Sequence, residues 1–489
     1  MRASALTDHK KPRMASTLRG FCLLCLGFLE PGRIIALSAN PVTDETIRQG
    51  VLEELEVARH RTERLIRSLP EERLAVPYHP GVNPPLWEMG HAAFFYEVFV
   101  FNLLDGTPSY DPSMDDLWDS FHVDHRDRWR RDLFPGREET LRYFNTIYER
   151  VADRIRSKEL TDQALYLYRY GIYHQNMHIE SLIWCRQTVG YPAPPDYRGD
   201  RPAPGKPLSG DAKIPAGRWV IGMPGESQRY ATDDFAFDNE KPRFEIDLPA
   251  FAISRTLVSN REFQAFVEDD GYKRPELWSF GGHKWLETEQ DVSLVHGTAE
   301  PMLRLPRHPL YWRWHDRQWQ ERVFDQWLPL EPDAPVTHVS YWEAEAFCKW
   351  AGRRLPTEYE WEVAALGNKS GEPFRRYPWG NEAPDASRAD MDARTMGRNP
   401  VSDYPAGDSP FGCRQMIGSV WEWTSNEFLP YDGFRVDMYP FMSTLQFATH
   451  KVTRGGGCAT SSNLIRGTYR QAYLPARNDV YTGFRTCAD

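Results

Sequence analysis

Two histidines four residues apart, His174 and His178 in Tyr173-His-Gln-Asn-Met-His-Ile-Glu180, have the types and spacing to do metal chemistry. On a helix, residues i and i+4 share a face, which lets two imidazoles meet one ion. Glu180 follows His178 by two residues, about 200° around the helix at about 100° per residue, and is expected to point away as a supporting or structural acid. A third ligand must come from another helix. His91 is the best candidate, because it lies in Leu86-Trp-Glu-Met-Gly-His-Ala-Ala-Phe-Phe95, where an unpaired imidazole is expensive to bury. Three neutral imidazoles leave several metal positions open, an arrangement for catalysis rather than structure. The plainer alternative is a set of core histidines satisfied by hydrogen bonds, and a third apolar-flanked histidine weighs against it. His122 and His125, in Phe121-His-Val-Asp-His125, are a competing pair, read as part of a solvated segment near the site mouth because Arg126 to Arg131 follow.

Helices have to bring these residues together. From Thr43, with Thr43 or Asp44 as cap, Ile47, Val51, Leu55, Ala58, Leu65 and Ile66 recur at three- and four-residue steps, an amphipathic helix. A second starts after Asn83-Pro84-Pro85, where proline suits a first turn, and carries His91 towards Leu104. A third runs from about Glu138 and a fourth from about Thr161 to Val189, so residues 41–190 read as an antiparallel four-helix bundle. Residues 191–212 are a proline-rich linker. In 213–489 the pattern breaks into short strands, such as 218–222 and 244–248, with one clear helix from Trp342 to Ala351.

Composition narrows the class. At 489 residues, 26% charged and 41% hydrophobic, the chain is globular rather than disordered over most of its length. A formal charge of −10, with no long basic run, argues against nucleic acid as a partner. Seven cysteines without paired spacing fit a reducing cytoplasm better than a disulfide framework. Residues 1–40 read as a disordered extension; its apolar stretch from Gly20 to Phe28 resembles a signal core but is too short to span a bilayer, so no membrane association is expected.

Ordered motifs of the second half then carry a resemblance. Phe237-Asp-Asn-Glu-Lys-Pro242, Val258-Ser-Asn-Arg-Glu-Phe263, Gly352-Arg-Arg-Leu-Pro-Thr-Glu-Tyr-Glu-Trp-Glu362, Tyr377-Pro-Trp-Gly-Asn381, Gly418-Ser-Val-Trp-Glu-Trp-Thr424, Arg454-Gly-Gly and Gly483-Phe-Arg485 resemble the formylglycine-generating-enzyme (sulfatase-modifying factor) domain. The first half, with His91 and His174-x3-His178-x-Glu180, resembles the DinB-like bundle. The two in this order resemble the non-heme iron sulfoxide synthases of ergothioneine biosynthesis. The resemblance implies an α+β chain: a DinB-like four-helix bundle plus a C-type-lectin-like second domain. It implies Fe(II) on His91, His174 and His178, with hercynine, a sulfur donor and O2 as substrates, and a proton donor from the second domain. The family's Tyr-Pro-Pro-Tyr-like segment is matched by Tyr439-Pro-Phe-Met442, which makes Tyr439 that donor.

Departures from the family pattern bear on the donor. Met177 stands where hercynine-specific enzymes often have a pocket-lining glutamine. Tyr469-Arg470 is followed by Gln471-Ala472-Tyr473 instead of Asn-Trp-Asp, with Arg477 retained, so Met177, Gln471, Tyr473 and Arg477 are the expected substrate-binding residues. The arginine-rich loop that grips the carboxylates of γ-glutamylcysteine is not evident, and the segment from Trp118 to Trp129 is closer to the selenoneine-synthase branch, which joins hercynine to a selenosugar. Two rival activities are a zinc-dependent thiol transferase on the same histidines and a formylglycine-generating enzyme. The latter needs a copper-binding thiolate pair, and its positions here hold Thr460 and Ile465, with Cys458 nearby.

Overall fold

The computed structural model describes residues 44–199, 202, 204–224, 235–288, 308–437 and 442–489. The first domain is the expected bundle. Helix α1 (Glu45–Arg67) is capped by Asp44, whose carboxylate accepts from the Thr46 amide at 2.9 Å, and buries Val51, Leu55, Ala58, Leu65 and Ile66. Helix α2 (Pro85–Tyr96) opens on proline and continues as a wider π-helical stretch, Glu97–Leu104, that the apolar periodicity did not forecast. A short helix α3 (Asp115–Trp118) precedes α4 (Arg137–Ser157), which turns Leu141, Phe144, Tyr148, Val151 and Ile155 inward. Helix α5 (Asp162–Val189) is capped by the Thr161 hydroxyl and ends at Gly190, whose φ of 68° closes it in the left-handed conformation.

Two glycines set how closely these pieces approach. A Cβ on Gly171 of α5 would lie 2.6 Å from the Tyr96 ring, and one on Gly90 of α2 would lie 2.5 Å from the Trp118 ring. The first lets α2 and α5 come together. The second lets α3 lie down on α2.

The second domain is built from short strands. Strands β1 (Asp211–Ile214), β4 (Phe251–Ser254), β13 (Cys487–Ala488) and β8 (Arg353–Arg354) make one sheet in that order. A second runs β11 (Arg470–Tyr473), β10 (Lys451–Arg454), β9 (Trp421–Glu427) and β12 (Thr482–Gly483). Strands β2 (Gly217–Ile221) and β3 (Phe244–Leu248) pair on their own, as do β5 (Trp312–His315), β6 (Gln318–Val323) and β7 (Gln326–Pro329). The strand β1 thus begins two residues inside the stretch read as linker. Helix α8 (Tyr341–Trp350) lies one residue ahead of its expected position because Ser340 and Glu343 form a capping box. Helices α6 (Asn260–Glu268), α7 (Phe280–Thr288) and α9 (Glu358–Leu366) were not forecast, although α6 and α9 carry the same Ser/Thr-x-x-Glu box.

Four arginines with 0 to 1% side-chain exposure hold this domain together: Arg485 pairs with Glu422 at 2.6 Å, Arg470 with Glu358 at 2.8 Å, Arg466 with Glu240, and Arg454 with Glu358 and Glu362. Removing one partner of such a pair costs about 3–5 kcal/mol, because the other is left charged and dry. The cysteines of the described residues, Cys185, Cys348, Cys413, Cys458 and Cys487, are buried and free. Among the described residues no helix is long and apolar enough to cross a membrane. The expected disordered extension lies outside the described residues.

The domains meet along α5, which is buried on nearly every side. One side packs on α1 and α2. The other presents Tyr166, Tyr170 and Tyr173 to Phe235 and Phe237, with ring centroids 4.8 to 5.5 Å apart in the closest pairs. At its end the Gln187 amide donates to the Arg322 carbonyl at 2.8 Å and accepts from the Phe324 amide at 2.6 Å.

Replacing Gly90 with Ala should cost about 1–3 kcal/mol, since the new methyl overlaps the Trp118 ring. Gly50→Ala on α1, where a Cβ meets nothing within 4 Å, should instead gain up to about 1 kcal/mol. Thermal unfolding of the two variants should therefore shift in opposite directions.

Candidate metal centre

The two histidines singled out by spacing and the one singled out by its apolar setting converge. One ligand nitrogen from each of His91, His174 and His178 can be chosen so that all lie within 4.8 Å of one another, the one such group of three or more among the described residues. Nε2 of His174 and Nε2 of His178 are 3.1 Å apart. Two nitrogens about 2.1 Å from one ion, at a right angle or a little more, lie about 3 Å apart, so this spacing fits a shared ion.

The ring orientations are set by what the other nitrogen touches. His91 Nδ1 donates to the Trp118 carbonyl at 2.6 Å, and His178 Nδ1 donates to Oε2 of Glu88. Each contact leaves Nε2 as the bare ligand atom, which is how metal-binding histidines are normally held. His174 is different: its Nδ1 is buried without a hydrogen-bond partner, and its ring stacks on Phe95 at a centroid distance of 3.5 Å. The three rings therefore have no partner set among themselves that satisfies every nitrogen, while an ion between the Nε2 atoms uses the lone pairs that face one another.

Electrostatics favour the same state. Burial, then the neighbouring His178, pushes His91 down to about 3, and burial pushes His174 well below the ordinary imidazole value. Both rings are neutral at pH 7 and ready to ligate. Burial would push Glu88 up, but the His178 imidazole and hydrogen bonds from His178, Ser181 and Asn83 outweigh it and hold the carboxyl down at about 2. The site thus has a carboxylate directly behind one ligand.

Glu180 points away, as its helical angle requires. Its two oxygens accept from Trp421 Nε1 at 2.8 Å and Thr460 Oγ1 at 2.9 Å, both from the second domain. Burial pushes this carboxyl up to about 7. Thr460, one of the two positions where a formylglycine-generating enzyme would hold copper, is thereby engaged with the bundle, and Ile465, the other, is a fully buried apolar side chain.

The other expected site residues are more scattered. Met177 is half-buried and packs against the main core. Gln471 and Tyr473 lie on β11, where the Gln471 amide oxygen accepts from the Ala472 amide and the Tyr473 hydroxyl is buried without a partner. Arg477 is turned to Asp479 at 2.5 Å, with the Gly81 carbonyl at 3.4 Å, and so ties the domains together. Tyr439 lies outside the described residues. His122 bonds Asp119 at 2.8 Å and His125 bonds the Val82 carbonyl at 2.9 Å, so neither joins the cluster.

Sequence reasoning missed the supports: Glu88, Asn83, Ser181, Phe95 and the Trp118 carbonyl. An acid in the apolar run Leu86 to Phe95 was a usable signal for Glu88. A backbone carbonyl leaves none.

Family comparisons agree with this architecture. Residues 202–489 match the sulfatase-modifying factor enzyme 1-like domain and residues 54–182 the DinB superfamily. Fold and site thus define a two-domain enzyme in which a histidine-bearing DinB bundle is joined to a sulfatase-modifying-factor domain. The chain is 30% identical over 452 residues to the hercynine oxygenase of Mycolicibacterium smegmatis, covering 90% of this chain and 99% of that protein. It is 32% identical over 451 residues to the hercynine oxygenase of Mycobacterium tuberculosis, covering 88% and 97%. A formylglycine-generating enzyme from Thermomonospora curvata is 31% identical over 326 residues, but this is 60% of the present chain. The chain belongs to the ergothioneine-biosynthesis sulfoxide synthase family.

A pH dependence follows for the metal-free protein. Unfolded histidine takes up its proton near 6.5 and folded His91 only near 3, so between these values the unfolded state binds more protons and stability falls as pH drops. The unfolding temperature of wild type should fall more steeply over this window than that of His91→Gln, measured by calorimetry from pH 7 to 4.

Proposed function

We propose that the protein is a non-heme Fe(II), O2-dependent enzyme that forms a C–S or C–Se bond on the imidazole ring of hercynine. The observation that carries this reading is the convergence of His91, His174 and His178 in a chain whose full-length relatives are named hercynine oxygenases. A set of three neutral imidazoles leaves coordination positions for reactants, unlike a closed structural site.

Activation of O2 and oxidation of the chalcogen are the chemistry that bound Fe(II) supplies at this site. The protein's own part is positioning. His91 and His178 are held by the Trp118 carbonyl and by Glu88, and Trp87 and Phe95 lie flat against His91 and His174, keeping water from those faces. The proton donor we assign is Tyr439, acting as general acid. The described residues on either side of it are anchored. Asp437 accepts from Lys241 at 2.8 Å and from Tyr166 of α5, and Ser443 donates to Asp238 at 2.5 Å. The helix that carries two ligands therefore also holds the chain just ahead of the assigned acid.

The test is anaerobic reconstitution with Fe(II), then addition of hercynine and O2 with γ-glutamylcysteine, cysteine or a selenosugar in separate arms, with O2 uptake followed and products read by mass spectrometry. One arm should give a hercynine adduct with stoichiometric O2 consumption. His174→Ala should abolish iron binding and O2 uptake; turnover retained in that variant overturns the model. Zinc in the active protein, with no O2 consumed, would establish the thiol-transferase reading instead.

A further inference from the structure

We infer that Glu88 is a positioning residue whose carboxylate fixes His178 in the ligating tautomer and links the metal centre to the 119–129 loop. This rests on the proposed metal centre and goes beyond its ligands. Glu88 is 1% exposed, a burial that an isolated carboxylate does not tolerate. Both of its oxygens are engaged: Oε1 accepts from Ser181 Oγ at 2.6 Å and from Asn83 Nδ2 at 3.0 Å, and Oε2 accepts from His178 Nδ1. Ser181 is on α5 and Asn83 precedes α2, so the carboxylate joins the two elements that carry all three ligands.

Two consequences come from this geometry. With its Nδ1 proton directed to a carboxylate, His178 presents the Nε2 lone pair to the centre, and a carboxylate acceptor makes that nitrogen a better donor than a neutral one does. Asn83 continues the connection outward, since its Oδ1 accepts from Arg128 at 2.8 Å. The Arg128 guanidinium also lies 3.9 Å from the Trp87 ring centroid, and Trp87 stacks on His91 at 4.7 Å. Arg128 thereby reaches two of the three ligands by separate routes, through Asn83 and Glu88 to His178 and through Trp87 to His91. The segment around it, which on sequence is a solvated loop, is a support of the site.

The test uses Co(II) titration of the full-length protein, with the d–d absorption band as the signature of coordination and a competing chelator to set the affinity. Glu88→Gln keeps an oxygen acceptor and the side-chain volume but removes the charge; it should bind Co(II) on the order of 10-fold more weakly, and Glu88→Ala up to about 100-fold. Glu97→Gln is the control. Glu97 is equally buried on the same continuous helix but serves Tyr110 and Arg150, so its loss should leave Co(II) affinity unchanged. Arg128→Met should shift the Co(II) band with a smaller loss of affinity. If Glu88→Gln binds Co(II) within twofold of wild type, or if Glu97→Gln weakens it as much, the inference is overturned. If Glu88→Ala does not fold, the Glu88→Gln and Glu97→Gln comparison decides. Wild-type protein that binds neither Co(II) nor Fe(II) would overturn the metal-centre reading itself, which separates the two failures.

Discussion

Helix α5 has no free face, and this constraint shapes the rest of the molecule. Its inward side must present two imidazoles to α2, and its outward side must bury a carboxylate, Glu180, against the second domain. A helix buried all round has to find a partner for every polar group it carries. The bundle cannot satisfy Glu180 by itself; Trp421 and Thr460 do so from across the interface. The second domain is therefore part of what holds the ligand-bearing helix in place.

The motifs that reveal the family and the residues that do chemistry are largely different sets. Glu422, Glu362, Arg454 and Arg485 make the second half recognisable, and in the structure they are buried ion pairs that frame its sheets. They can be read in sequence because charged residues survive in a dry core only with a matched partner. The histidines could be read because i, i+4 spacing is local. Arg477, expected from the family pattern to bind substrate, lies against Asp479 and the Gly81 carbonyl of the first domain, a contact between domains that spacing alone does not reveal. Helices α6 and α9 were missed because nine residues give too little periodicity to detect, even though their capping boxes were present in the sequence.

The supports of the metal centre were the least visible layer. Glu88 belongs to the same turn as His91 but orients His178, a contact between residues 90 positions apart. Spacing within one helix cannot reveal that pairing. What it can reveal is that a carboxylate placed in an apolar turn needs a cationic or proton-donating neighbour from another element.

The acceptor that orients His91 is the carbonyl of Trp118, held against α2 by the missing side chain at Gly90. Every residue type has that carbonyl, so no substitution at position 118 deletes the acceptor; only a displaced backbone can. Variation in this part of the site is thus filtered by loop length and by the bulk that α2 can admit, not by the chemistry of the side chain there. A change that lifts the Asp115–Trp118 turn off α2 would lose the ligand's orientation with all three histidines intact.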